Sequence, residues 1–304
     1  MKTFHIMSGD GKTQLACYRT ECKNPQAMLQ ISHGMCEYFK RYSEFATYLA
    51  RRGILVFGHD HLGHGETAPT EADLGFTATG GGADILVEDV HNLSLNMMDE
   101  YPNVPLVLFG HSMGSFIVRE VMARYGEDYR AAIFCGTGGP DMPTGVGKLL
   151  ASLLMRLFGE RHRSKLLKKI SFSGYNKRYD HCETSVDWLT RDSDVVERYL
   201  QDPFCNYVFT ARAYHDLFTL IEWVSKKNWA ERLPKNVPIL VVSGMMDPVG
   251  GFGIGVKKVA DRLSDAGLNT TLRLYPDMRH EILGEIGKEQ VWEELELWLK
   301  TFST

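Results

Sequence analysis

Apolar residues along this chain follow two alternating rhythms. Short continuous runs at 27–31, 54–57, 106–109, 131–135, 237–242 and 271–274 have the length and β-branched content of buried strands. Between them the apolar positions recur three and four apart. Tyr42, Phe45, Ala46 and Leu49 share one helical face. So do Val291, Trp292, Leu295, Trp298, Leu299 and Phe302. The pattern predicts helices near 41–50, 84–99, 115–125, 256–266 and 288–302. An opening hairpin is expected over 1–24, with its turn at Ser8-Gly9-Asp10-Gly11. Strand–helix alternation predicts an α/β fold with a mostly parallel sheet and helices on both faces.

The rhythm breaks once. From 141 to 228 the periodicity is helical throughout and no strand is evident. That interval is too long for a connection. It is expected to be a helical cap (141–228) inserted into a sheet domain built from 1–140 and 229–304. Within it, apolar residues at 146, 149, 150, 153, 154, 157 and 158 mark one face of a helix. A basic run follows, with Arg161, Arg163, Lys165, Lys168 and Lys169. Three readings of that face stay open. It packs on the cap's own core. It lines an acyl pocket through Leu153 and Leu154. Or it rests transiently on a membrane surface, with the basic run on anionic headgroups.

Composition narrows the class. The 304 residues are 44% hydrophobic and 24% charged, as in ordinary globular enzymes, and the formal net charge is -4. No global field draws nucleic acid. The first residues lack the apolar core of a signal peptide, and no apolar run reaches membrane-spanning length. The six cysteines, at 17, 22, 36, 135, 182 and 205, contain no C-x-x-C pair. A cytoplasmic, reducing setting without a disulfide framework is expected. Cys36 reads as a packing residue, with a reactive thiol as the alternative.

The chemistry centres on Gly110-His111-Ser112-Met113-Gly114, set between the run at 106–109 and the helix at 115–125. G-x-S-x-G at a strand-to-helix turn is a nucleophile elbow. Placement matters, because the five-residue pattern alone occurs by chance. A serine nucleophile needs a base, and the base needs an orienting carboxylate, in the order Ser, acid, His. His280 lies between the last strand and the last helix. Asp247 ends the preceding strand, and 33 positions separate the two. Asp277 competes but shares the histidine's loop, and Glu281 is excluded more firmly on the same ground. The oxyanion is expected to meet the backbone N–H groups of Met35 and Met113. His33, Gly34 and His111 are further candidates for the pocket wall.

Two other clusters resemble sites. His59-Asp60-His61-Leu62-Gly63-His64 has histidines at metal-like density, but Gly63 stands where a metallo-hydrolase pattern needs aspartate. Gly250-Gly251-Phe252-Gly253-Ile254-Gly255 lacks the βαβ context of a dinucleotide loop. Neither a metal nor a nucleotide is assigned.

Ser32-His33-Gly34-Met35-Cys36-Glu37-Tyr38, Arg41-Tyr42, Asp60-His61-Leu62-Gly63-His64-Gly65 and the elbow together resemble the monoacylglycerol lipase and lysophospholipase group of α/β-hydrolases. The Asp247 and His280 segments continue the resemblance, which fades across the cap. Ser115 stands where the group often has a second glycine. The resemblance implies an α/β-hydrolase fold, the triad Ser112, Asp247 and His280, esters of one acyl chain as substrates, and no cofactor. A general carboxylesterase or acyltransferase uses the same acyl-enzyme. A binding protein on this fold would be expected to lack a triad member. Oligomeric state is not legible.

Overall fold

The computed structural model describes residues 1–303. Among them, eight strands form one sheet in the order β1-β2-β4-β3-β5-β6-β7-β8. They are β1 (Lys2–Met7), β2 (Gln14–Arg19), β3 (Ala27–Ser32), β4 (Ile54–His59), β5 (Leu106–His111), β6 (Ala131–Cys135), β7 (Ile239–Gly244) and β8 (Thr270–Tyr275). β1 and β2 form the expected opening hairpin and β2 runs antiparallel to β4, while every pairing from β4 to β8 is parallel.

Strand β5 shows why its sequence is continuously apolar. Leu106 and Leu108 join the core on one side of the sheet, and Val107 and Phe109 join the core on the other. Both faces are covered, so the period of two leaves no polar face. On the first side lie helices α2 (Gly82–Glu100), α3 (Met113–Tyr125) and α8 (Ile254–Asp265). On the second lie α1 (Ser43–Ala50) and α9 (Lys288–Lys300). Among the described residues, no helix is long and apolar enough to cross a membrane.

Between β6 and β7 the chain leaves the sheet and forms α4 (Thr144–Phe158), α5 (Lys165–Phe172), α6 (Ser193–Gln201) and α7 (Ala211–Ser225). Side-chain oxygens of Ser164, Asp192 and Thr210 cap the last three. A buried arginine ties both ends of this excursion to the elbow helix. Arg119 reaches Thr137 Oγ1 and the Gly138 carbonyl, both at 3.3 Å, and the Val224 carbonyl at 2.7 Å. Its guanidinium lies 4.1 Å from the centre of a Trp229 ring.

The apolar face of α4 is where the structure departs from expectation. Its buried residues are Gly147 and Ala151. A Cβ at position 147 would stand 2.7 Å from the Phe218 ring of α7. The two helices meet along small residues, and the large ones are turned away. Val146 is 76% exposed, Leu149 72%, Leu153 51% and Leu157 62%. Leu154 is half-buried against the core.

Candidate active site

Four loops at the carboxyl ends of β3, β5, β7 and β8 converge on one cavity, as open parallel sheets arrange their sites. The cavity measures about 800 Å³ and is lined by Met35, Ser112, Met113 and His280 among others. Ser112 follows β5 directly and takes φ 52° and ψ -118°, outside the ordinary regions for a serine. Its N–H is held by the Cys135 carbonyl of β6 at 3.0 Å. A Cβ at Gly110 would strike the Gly114 carbonyl, and one at Gly114 would strike the Ser32 carbonyl of β3. Glycine at both places is what lets the turn be this tight.

Asp247 and His280 meet behind the serine. His280 Nδ1 lies 2.9 Å from Asp247 Oδ2, and both side chains are buried. Nδ1 carries the proton in this contact, which leaves Nε2 as a base. Asp277 is exposed in the turn after β8. Among the described residues, the Ser112 hydroxyl makes no hydrogen bond, and the backbone N–H groups of Met35 and Met113 have no partner.

The loop carrying Met35 is set by the histidine cluster. His61 donates its backbone N–H to His33 Nε2 at 3.0 Å. His33 therefore holds its proton on Nδ1 and donates it to the Gly34 carbonyl, 2.8 Å away. The Gly34–Met35 peptide is planar and trans, so fixing its carbonyl also aims the Met35 N–H. The remaining rings are stitched by Ser32 Oγ to His61 Nε2 (2.9 Å) and His61 Nδ1 to His59 Nε2 (3.1 Å). Burial holds these histidines neutral, pulling His33 down to about 4 and His59 and His64 to about 3. The residues read as a metal-like string thus serve as a buried hydrogen-bonded scaffold.

Of the pocket candidates, Gly34 and His111 line the cavity, and His33 lies wholly buried behind it. Leu153 and Leu154 do not line it. This corrects the expectation for them: Gly147 and Ala151 draw α4 onto α7 and point its leucines elsewhere. The apolar wall comes instead from residues such as Phe116, Met142, Leu217, Phe218 and Ile221. Cys36 is buried and donates to the Tyr207 carbonyl at 3.3 Å. Burial pushes its thiol pKa up, away from thiolate reactivity.

A buried ionic network lies under the site. Glu37 accepts from the Gly34 N–H, the Tyr42 hydroxyl (2.8 Å), Arg41 (2.9 Å) and His111 Nδ1 (3.1 Å). Arg41 in turn grips Glu281 with two bonds of 2.7 and 2.8 Å. His111 Nε2 faces the His280 carbonyl at 3.3 Å. Both partners of His111 only accept, so both of its ring nitrogens donate and the ring is charged. Burial opposes that charge, but the Glu37 bond and charge outweigh it and raise the His111 pKa. Burial likewise opposes a charged Glu37, and the His111 bond leads the effects that hold it ionised. The sequence offered one signal for this network, Glu37 and Arg41 in i,i+4 spacing.

The chain resembles known proteins over nearly its whole length. A family model described as serine aminopeptidase, S33, matches residues 23–287. A monoacylglycerol lipase of Mycolicibacterium smegmatis is 26% identical over 280 residues, 91% of this chain and 89% of that protein. The monoglyceride lipase of Homo sapiens is 26% identical over 313 residues, 97% of this chain and 89% of that one. A thermostable carboxyl esterase of Bacillus coagulans, solved with glycerol, has a TM-score of 0.93 at 27% identity, covering 99% of this chain and 98% of that one. These matches bear out the resemblance read from the motifs. On the match to its model, the chain belongs to the α/β-hydrolase family described as serine aminopeptidase, S33.

Proposed function

We propose that this protein hydrolyses carboxylic esters of a single acyl chain, of the monoacylglycerol or lysophospholipid type, through an acyl-enzyme on Ser112. The observation that carries the reading is the buried Asp247–His280 pair beside an apolar cavity into which the strained Ser112 turn projects. A cavity of about 800 Å³ lies within the range of ligand pockets, roughly 300–1,000 Å³. Its wall of Phe, Met, Leu and Ile suits an alkyl chain.

In the reaction, Ser112 Oγ bonds to the ester carbonyl carbon as its proton passes to His280 Nε2. The carbonyl π-electron pair moves onto oxygen, facing the Met35 and Met113 N–H groups. The C–O bond to the alcohol then breaks, and the departing oxygen takes the proton from His280. Water, deprotonated by the same nitrogen, releases the fatty acid. An acceptor alcohol in place of water would give acyl transfer.

Ser112→Ala should abolish both ester turnover and covalent labelling by a fluorophosphonate, with little change in melting temperature. Near-normal hydrolysis by that variant would refute the assignment. A panel of p-nitrophenyl esters graded by length reads the acyl preference.

The substrate's physical state bears on the cap. Leu166 and Ile170 of α5 are exposed, as is the α4 ridge, and Lys165 and Lys169 lie beside them. Ile170 also lines the cavity. We infer that this face rests on lipid aggregates, with the cavity mouth toward the surface that holds the substrate.

A further inference from the structure

We propose that Trp188, carried by the cap, is a positioning residue for His280. This rests on the reading of His280 as the base. The indole is buried and its ring centre lies 5.0 Å from that of His280, with the planes 45° apart. It is itself immobilised from the cap side. Phe172 stacks on it at 5.8 Å and Tyr175 meets it edge-on at 5.0 Å. The backbone N–H of Trp188 donates to Asn176 Oδ1 at 2.9 Å, which fixes the main chain that carries the indole.

The backbone around Trp188 is laced to the loop that carries His280. Glu281 N–H donates to the Leu189 carbonyl at 2.7 Å, and His280 N–H faces the Trp188 carbonyl at 3.4 Å. Arg279 reaches the Asp187 carbonyl at 2.5 Å and the Thr190 carbonyl at 3.2 Å. The buried Glu285 closes the arrangement. It accepts from the Thr190 hydroxyl, the Arg191 N–H and the Arg279 N–H, each at 3.0 Å. This stretch of the cap is therefore part of the histidine's mounting.

Two rings of different charge neighbour His280. The charged ring of His111 lies 4.7 Å away, compensated by Glu37. The Trp188 ring centre, 5.0 Å from that of His280, lies within the distance at which aromatic rings attract cations. When His280 takes the Ser112 proton it becomes a cation, and the indole both stabilises that cation and limits the ring's tilt away from Asp247.

The test uses p-nitrophenyl acetate, whose acyl group is too short to need the cavity wall. Trp188→Leu fills space without a π-face, and Trp188→Phe keeps one. Trp188→Leu should lower kcat about tenfold with KM little changed, between the scales of an exposed and a desolvated cation–π contact. Trp188→Phe should stay within about threefold of the parent. The downfield proton resonance of the His280–Asp247 bond should persist in the Phe variant and shift or broaden in the Leu variant. A Trp188→Leu enzyme with parental kcat and an unchanged resonance overturns the proposal, as do equal losses in the two variants. His280→Ala separates the failures. If it is inactive while Trp188→Leu is normal, only the role of Trp188 falls; if it is active, the base assignment falls and takes this proposal with it.

Discussion

Every acceptor of Asp247 is engaged. Oδ2 faces His280 Nδ1 at 2.9 Å and the Ser243 hydroxyl at 3.2 Å, and Oδ1 accepts the Val249 N–H at 2.8 Å. The carboxylate has one orientation, and through it the His280 ring has one tautomer. Asp247→Asn keeps the shape but turns one oxygen into a donor. Its kcat on a soluble ester should fall by about four orders of magnitude, the cost of that change in a serine-protease triad. Asp277→Asn should stay near parental values. The reverse ranking would move the acid to position 277. The sequence distinguishes these two positions because Asp277 shares the loop of His280, whereas Asp247 follows the preceding strand. Glu281 was not legible in the same way. Its pairing with Arg41, 240 positions earlier, appears only when the turn that precedes α1 and the histidine loop close on each other. Trp188 was hidden for the same reason, since no local spacing reports a contact between cap and core.

At the scale of elements, strand and helix positions were largely written in the apolar rhythm, whereas the orientation of α4 was not. Periodicity counts large apolar residues and assigns them inward. Here Gly147 and Ala151 determine the approach to α7, because small side chains let two helices come close. Leu149, Leu153 and Leu157 are left exposed, while Leu150 and Leu154 pack partly against the core. Leu149→Asp combined with Leu153→Asp should leave hydrolysis of p-nitrophenyl acetate unchanged. It should lower turnover of long-chain esters in anionic vesicles about tenfold or more, since two leucines lose their apolar burial. Co-sedimentation with those vesicles should weaken in parallel and decline at high salt. Equal activity of variant and parent on vesicles would leave the ridge without a role in lipid contact.

The molecule as a whole carries buried titratable groups of opposing sign. His33, His59, His61 and His64 are held neutral, with folded-state pKa values below the ordinary histidine value. Between about pH 6.5 and 4 the unfolded chain binds protons there that the fold refuses, so these four withdraw stability as pH falls. Asp60 and Asp89 act the other way. Burial raises them to about 6 and about 7, so they favour the fold below about pH 4 and lose that contribution as pH rises through those values. Four histidines outnumber two carboxylates, so among these six groups the unfolded chain binds more protons near pH 5 and stability rises with pH there. Denaturant titrations should therefore show a chain much less stable at pH 5 than at pH 7. Equal stability at the two values would mean that the cluster is charged or open to water.

Arg119 places a limit on exchange between relatives. One guanidinium holds the main chain on the way out of the sheet, at Gly138, and on the way back, at Val224. Any segment spliced between those points inherits two fixed addresses, each a carbonyl presented to the elbow helix. A cap of different length or sequence should be accepted on this body only if it presents a carbonyl at each of these two points. A chimera cut inside the pair keeps the clasp, and one cut outside it takes from buried Arg119 the two carbonyls that receive its guanidinium.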